Sequence, residues 1–320
     1  MFFSDSRVKC EFIQPKTEGL IVITPQKNLN IFEWLKENKS LLEKYLIQFG
    51  GILLRDFGIY SVSEFNEIVQ IFNPNLLDYV YRSTPRTKLG GQIYTATEYP
   101  ADRSIPLHNE NSYSKSWPRT IFFFSIIVAS KGGETPIADS RKVYQNIDPF
   151  IRDKFEQKGV LYVRNYHHGI DLSWQEVFQT DDKTVVSKYC KDNNIECTWK
   201  ESNPVVLTTK QICQASIKHP ISEEIVWFNQ AHLFHISALE ESDRIALINA
   251  LGEENLPRNT FYGDGEAIEN EVLEHIRKVY NDEKLKFQWK KGDIMVLDNI
   301  LMAHSREPYK GERKIAVAMS

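Results

Sequence analysis

Two periodicities divide this chain. From Asn30 to Phe49 the apolar residues Phe32, Leu35, Leu41, Leu42, Tyr45 and Leu46 recur at three- and four-residue intervals, which sets them along one face of a helix. Gly50-Gly51 ends that pattern ahead of the apolar run "ILLRDF", so the segment predicts helix, turn and buried strand. "SVSEFNEIVQIF" follows, with Glu64 three residues after Ser61, the spacing of a capping box on a second helix. From about Lys88 the texture changes. The short apolar and aromatic runs "TIFFFSIIVAS", "GVLYVRNY", "EIVWFNQAHLFH", "DIMVLDNILMAH" and "KIAVAM" alternate with Gly, Pro, Asn and Asp breaks, and they predict strands of a sandwich or barrel. "SRKVYQNIDPFIRDKFEQKG", "SALEESDRIALINALG" and "GEAIENEVLEHIRKVYNDE" return to helical spacing and predict helical insertions.

No repeat, low-complexity tract or linker interrupts these elements. The expectation is one domain over residues 1–320, mainly β with helical insertions. A mixed N-terminal support covers about 1–87 and the β core about 88–320.

Composition supports a folded chain. Of the 320 residues 42% are hydrophobic and 26% charged, enough to bury a sizeable core and far from a disordered composition. The 43 acidic and 39 basic residues are interspersed and give a net charge of -4, so no basic arm suggests nucleic acid as a partner. Cys10, Cys190, Cys197 and Cys213 form no CxxC pair and no disulfide framework. The N-terminus shows no basic region followed by an apolar one, and no apolar run reaches the ~18 residues of a membrane helix. These features predict a cytoplasmic protein that does not span a membrane.

Candidate chemistry sits in "IPLHNENSY". His108 and Glu110 are two residues apart, so on extended backbone their side chains share a face and could grip one ion. Alone, the pair fits a solvated polar loop at least as well. A non-heme iron oxygenase needs two imidazoles and one carboxylate on one face of the metal, with the other positions open. His304, in "DNILMAHSREPYKGERKIAV", offers the second imidazole. Arg313 follows nine residues later, beyond the Pro and Gly of "SREPYKGE", which predicts a hairpin that returns a carboxylate-clamping guanidinium towards His304. Thr135 follows "KGGE" after the aromatic run. His232 and His235 have a spacing that could bind metal on a helix, but their aromatic neighbours favour packing. His167 and His168 sit beside Gly169 in a loop that reads first as a solvated turn; likeness to related enzymes, in which an equivalent insertion covers the site, makes a lid the alternative. Gln92, on an expected strand, could face a substrate; Asn229 and Gln230 are candidates for substrate hydrogen bonds on the family resemblance given below, and serve equally well to satisfy buried backbone groups.

Taken together, "LHNENSY", "KGGETPIADSRKVY", "VWFNQAHLFH" and "MAHSREPYKGERKIAVAM" resemble the taurine dioxygenase-like Fe(II)/2-oxoglutarate oxygenases. The likeness is greatest to the branch that holds syringomycin-type amino-acid hydroxylases and clavaminate synthase-like proteins, and it runs from about Gln48 to the C-terminus. The resemblance implies a double-stranded β-helix, or jelly-roll, core. It also implies iron held by His108, Glu110 and His304, 2-oxoglutarate held by Arg313 with Thr135, and O2 as the second cosubstrate. Taurine dioxygenase itself uses aspartate as the acidic ligand. Glu110 therefore turns the expected substrate away from taurine towards a small amino-acid-like molecule, free or tethered to a carrier protein, in natural-product synthesis. Related halogenases lack the carboxylate, so Glu110 argues against halogenation. The same cofactor chemistry also serves desaturation, epoxidation and cyclisation, and a jelly-roll fold can serve as a binding module without catalysis.

Overall fold

The aromatic run after Arg119 forms the strand Thr120–Ile127, and its alternation decides what each face of the central sheet meets. The computed structural model describes residues 5–15, 17–77, 81, 83–84, 86–97, 99–167, 169–201 and 206–320. Phe122 and Phe124 point to one side, where they meet Phe72 edge-on and stack on Phe65 at centroid distances of 5.7 and 5.2 Å. Ile121 and Phe123 point to the other side, into a second core. The same alternation holds in Ile294–Asp298 and Lys314–Met319: Ile294, Val296, Ala316 and Ala318 join the first core, whereas Met295, Leu297, Ile315 and Val317 join the second. Both faces of the sheet are thus buried, at a gain of roughly 2 kcal/mol for each large side chain removed from water.

This sheet has eight strands, in the order Val8–Gln14, Thr17–Pro25, Gly51–Leu54, Ile294–Asp298, Thr120–Ile127, Lys314–Met319, Ile93–Thr95 and Lys88–Gly90. The helices Ile31–Phe49 and Val62–Phe72 cover its outer face, as their apolar spacing predicts. Asn30 caps the first helix through its side chain, and Gly50 ends it at φ 79°. A Cβ at Gly50 would lie 2.5 Å from Met302 Cγ, so both the backbone conformation and the close approach require glycine. The Ser61–Glu64 capping box is present with both of its hydrogen bonds. Among these strands only Thr17–Pro25 and Gly51–Leu54 pair in parallel, through the crossover that the first helix provides.

Opposite the inner face lies a three-stranded antiparallel sheet in the order Ile105–His108, Met302–Arg306, Ile137–Asp139. The core between the two sheets combines Phe123, Met295 and Leu297 with Ile137, Met302, Phe287 and Trp289. Two facing, largely antiparallel sheets with helices outside make this a mainly β jelly roll. A four-stranded sheet of Glu196–Lys200, Val206–Cys213, Val160–Tyr166 and Arg258–Tyr262 extends it to one side.

Several elements depart from the expectation. "DIMVLDNILMAH" is two strands, not one: Asp298 Oδ1 accepts the backbone N–H groups of Ile300 and Leu301, and that turn sends Met302–Arg306 into the other sheet. "EIVWFNQAHLFH" is strand only over Ile225–Trp227 and then turns into the helix Ala231–Phe234. "SRKVYQNIDPFIRDKFEQKG" divides into Ser140–Asn146 and Pro149–Lys158, with Pro149 opening the second helix. The N-terminal hairpin Val8–Gln14/Thr17–Pro25 and the helix Lys183–Asp192 add to the expected elements.

Candidate metal centre and cosubstrate pocket

Register brings the two histidines together. His108 ends its strand and pairs directly with His304 in the centre of the three-stranded sheet, with the imidazole rings 4.6 Å apart between centroids. Glu110 reaches the same place just past the strand end. One ligand atom from each of His108, Glu110 and His304 lies within 4.8 Å of the others. Glu110 Oε2 is 3.8 Å from His304 Nε2.

The surroundings prepare these groups as ligands. His108 Nδ1 lies 2.8 Å from the Pro106 carbonyl, which can only accept, so Nδ1 carries the proton and Nε2 keeps its lone pair. Burial holds His304 well below the ordinary imidazole pKa, helped by His108 and Arg86, and burial likewise lowers that of His108. Both rings are therefore neutral at physiological pH, the form that binds a metal. Phe123 packs its ring edge-on to His304 at 5.1 Å. Arg86 Nη2 donates to Glu110 Oε2 at 2.8 Å. Two neutral imidazoles and one carboxylate, held on one side of a small cavity, match the donor set of a 2-His-1-carboxylate iron centre.

The loop between the ligands is braced from behind. Asn299 Oδ1 accepts the Glu110 N–H at 2.7 Å, and Asn299 Nδ2 donates to the Glu110 and Pro118 carbonyls at 3.0 and 2.8 Å. Asn109, buried just past the strand end, returns a bond from Nδ2 to the Asn299 carbonyl at 2.7 Å. The pair ties the turn before His304 to the loop that bears Glu110. Nothing in the spacing of single residues signals Asn299; only the turn that splits "DNILMAH" puts it there.

Arg313 and Thr135 line the same cavity as His108 and His304. Arg313 Nε donates to the Gly133 carbonyl at 2.8 Å and Nη2 to Thr135 Oγ1 at 3.2 Å; Trp289 Nε1 also donates to Thr135 Oγ1, at 3.0 Å. Burial, followed by the nearby Arg306 charge, pushes the Arg313 guanidinium down to about 10, so it stays cationic at neutral pH. The route from His304 to Arg313 is not the expected hairpin. Met302–Arg306 and Lys314–Met319 belong to different sheets, and Tyr309–Lys310, paired with Lys131–Gly132, carries the chain across.

Gln92, Asn229 and Gln230, the candidate substrate residues, are not among the residues that line this cavity, and each has hydrogen-bond partners within the fold. Gln92 sits in the turn before Ile93–Thr95 and donates to the Leu76 carbonyl at 3.0 Å. Asn229 is buried, with its amide on the Ala215 carbonyl and its oxygen on the Ala231 N–H. Gln230 donates from Nε2 to the Asn109 carbonyl at 2.8 Å, so it braces the ligand loop. Asn229 and Gln230 are buried and Gln92 half-buried, and the fold supplies each amide with a backbone partner. His232 packs on Tyr280 and donates from Nε2 to the Leu107 carbonyl at 2.9 Å, and His235 Nδ1 accepts the Ser237 N–H, so neither joins the cluster. His168 lies outside the described residues. In the segment for which a lid is the alternative, Ser173 caps the helix Trp174–Phe178, whose Trp174, Val177 and Phe178 are core residues.

Residues 14–319 match the model of the family described as taurine catabolism dioxygenase TauD, TfdA. The chain belongs to that family. Among its relatives, the dapdiamide synthesis protein DdaC of Enterobacter agglomerans is 44% identical over 278 residues, covering 87% of this chain and 84% of the relative. A clavaminate synthase-like protein of Arabidopsis thaliana is 29% identical over 307 residues, covering 92% and 89%. In fold, the crystal structure of PvcB from Pseudomonas aeruginosa superposes with a TM-score of 0.59 at 12% identity, over 99% of this chain and 92% of that one. A second PvcB structure, described as an Fe, alpha-ketoglutarate dependent oxygenase from an isonitrile synthetic pathway, gives 0.60 at 12% identity, over 100% and 93%. Membership of the TauD, TfdA family gives the reaction class: this protein is an iron- and 2-oxoglutarate-dependent dioxygenase. Among the described residues no helix is long and apolar enough to cross a membrane.

Proposed function

We propose that the protein is one oxygenase domain that hydroxylates an aliphatic C–H bond of a small amino-acid-like substrate, free or presented on a carrier protein, in natural-product biosynthesis. The observation that carries this reading is the convergence of His108, Glu110 and His304 beside Arg313 in one cavity. In it, His108, Glu110 and His304 bind Fe(II), and Arg313 with Thr135 binds the distal carboxylate of 2-oxoglutarate. Bound iron with 2-oxoglutarate and O2 supplies the oxidising power that exchanges a C–H hydrogen for hydroxyl. The chain's own residues orient and exclude. The Pro106 carbonyl fixes the His108 tautomer. Phe123 excludes water from one side of His304. Arg313, steadied by Gly133 and Thr135, presents a planar fork that suits a carboxylate.

Support for the substrate class comes from the kinship with a dapdiamide synthesis protein and from the acidic ligand being glutamate. The test is anaerobic addition of Fe(II) and 2-oxoglutarate, which should give a weak visible charge-transfer band that His108→Ala abolishes. A band of full strength in that variant would sink the assignment. Aerobic turnover with amino acids and carrier-tethered aminoacyl groups, read by mass spectrometry, then identifies the substrate. A gain of one oxygen marks hydroxylation or epoxidation, and a loss of two hydrogens marks desaturation or ring closure.

A further inference from the structure

Glu110 is held by more than its backbone. Its Oε2 accepts from Arg86 Nη2 at 2.8 Å, and both side chains are almost completely shielded, with 3% and 4% of their surface exposed. Oε2 is also the carboxylate oxygen that approaches His304 Nε2, at 3.8 Å, and Arg86 lines the cavity beside His108. The guanidinium and the His304 imidazole therefore meet the carboxylate at the same oxygen.

A carboxylate buried beside Phe123 and two neutral imidazoles carries a large desolvation cost unless it is paired and fixed. A charge-assisted bond from a guanidinium fixes it in direction as well as charge. It has a further consequence for an incoming cation. A carboxylate free to turn can bring both oxygens to a metal, whereas one tethered through Oε2 presents a single, defined edge. Outer partners of this kind typically govern metal affinity by ten- to hundredfold.

We propose that Arg86 is a positioning residue of the iron site, which orients the Glu110 carboxylate towards the imidazole pair and sets how tightly the metal is held. The proposal rests on the iron reading of His108, Glu110 and His304. It assigns Arg86 no contact with substrate or with the reacting atoms.

The test is equilibrium binding of Fe(II) to the full chain under anaerobic conditions, by competition with a chromophoric chelator, alongside thermal unfolding of the metal-free protein. Arg86→Met should raise the Kd for Fe(II) about ten- to hundredfold, and Arg86→Lys, which keeps the charge, should recover most of that loss. A Met variant that binds within threefold of the parent overturns the proposal, as does equal weakening in the Lys and Met variants. If Arg86→Met fails to fold, Arg86→Gln replaces it: a Lys variant at least fivefold tighter than Gln supports the role, and equal affinities overturn it. His108→Ala separates the two levels. Fe(II) affinity unchanged in His108→Ala removes the iron reading itself, whereas loss there with no effect at Arg86 removes only the present inference.

Discussion

Replacing Arg313 with methionine isolates the cosubstrate anchor. Two of the five guanidinium N–H groups are engaged by the Gly133 carbonyl and Thr135 Oγ1, which hold the plane of the fork and leave the others for a ligand. A hydrogen bond to a charged partner contributes about 1.5–3 kcal/mol, so losing a bidentate carboxylate pair should cost on the order of 3 kcal/mol. At 1.4 kcal/mol per decade, the Kd for 2-oxoglutarate should rise roughly 100- to 200-fold. Arg313→Lys keeps the charge but loses the fork, and should fall between the parent and the Met variant. The assay is anaerobic titration of 2-oxoglutarate into the Fe(II) protein, followed by the charge-transfer band, with Fe(II) affinity measured separately. Fe(II) affinity should stay near the parent value, because Arg86, not Arg313, donates to Glu110. A Kd for 2-oxoglutarate within threefold of the parent in Arg313→Met would refute the assignment.

Three further outcomes follow from the framework around the site. Alanine at Gly133 would force a non-glycine residue to φ +75° and bring a Cβ to 2.9 Å from Arg313 Cδ; a loss of about 1–2 kcal/mol in denaturant unfolding is expected, with weakened 2-oxoglutarate binding, and unchanged binding would show that Arg313 tolerates the shift. Asn299→Ala leaves the Glu110 N–H and the Glu110 and Pro118 carbonyls without their amide partner, which should destabilise the fold by roughly 3–5 kcal/mol; a loss under 1 kcal/mol would mean that water replaces the clasp. His232, held down to about 3 by burial, takes up its proton far more readily when unfolded, at 6.5, so its contribution is complete above pH 6.5 and is lost as pH falls towards 3. That linkage is on the order of 5 kcal/mol; His232→Gln should flatten the acid limb of a stability–pH curve, and an unchanged limb would exclude His232 as its source.

How far the sequence reached depends on the range of the interaction that fixes each feature. The helix Ile31–Phe49, its stop at Gly50 and the Ser61–Glu64 box are set by neighbours three or four residues away, so they stand in the chain as written. The His108–Glu110 pair was legible too, because alternation along a strand end puts both on one side. Other features need partners that are remote in sequence. The Asp298-Asn299 pair breaks the apolar texture of "DIMVLDNILMAH", but only the bonds that the Ile300 and Leu301 N–H groups donate to Asp298 turn the chain from one sheet to the other. Gln92, Asn229 and Gln230 are amides whose type suits a ligand as well as a backbone group; which of the two they meet is decided by what packs beside them.

By itself, then, the sequence determined through local spacing a mainly β chain with helical insertions, while the family and the set of His108, Glu110, His304 and Arg313 came from motifs that resemble the taurine dioxygenase-like oxygenases. The tertiary structure alone decided that His304 stands opposite His108 in register, that Arg313 arrives by a crossing between sheets, and that Arg86 and Asn299 hold Glu110. Those contacts join residues 24 to 196 positions apart, and no local pattern records them, since buried polar groups take their partners from whichever strand the packing brings alongside.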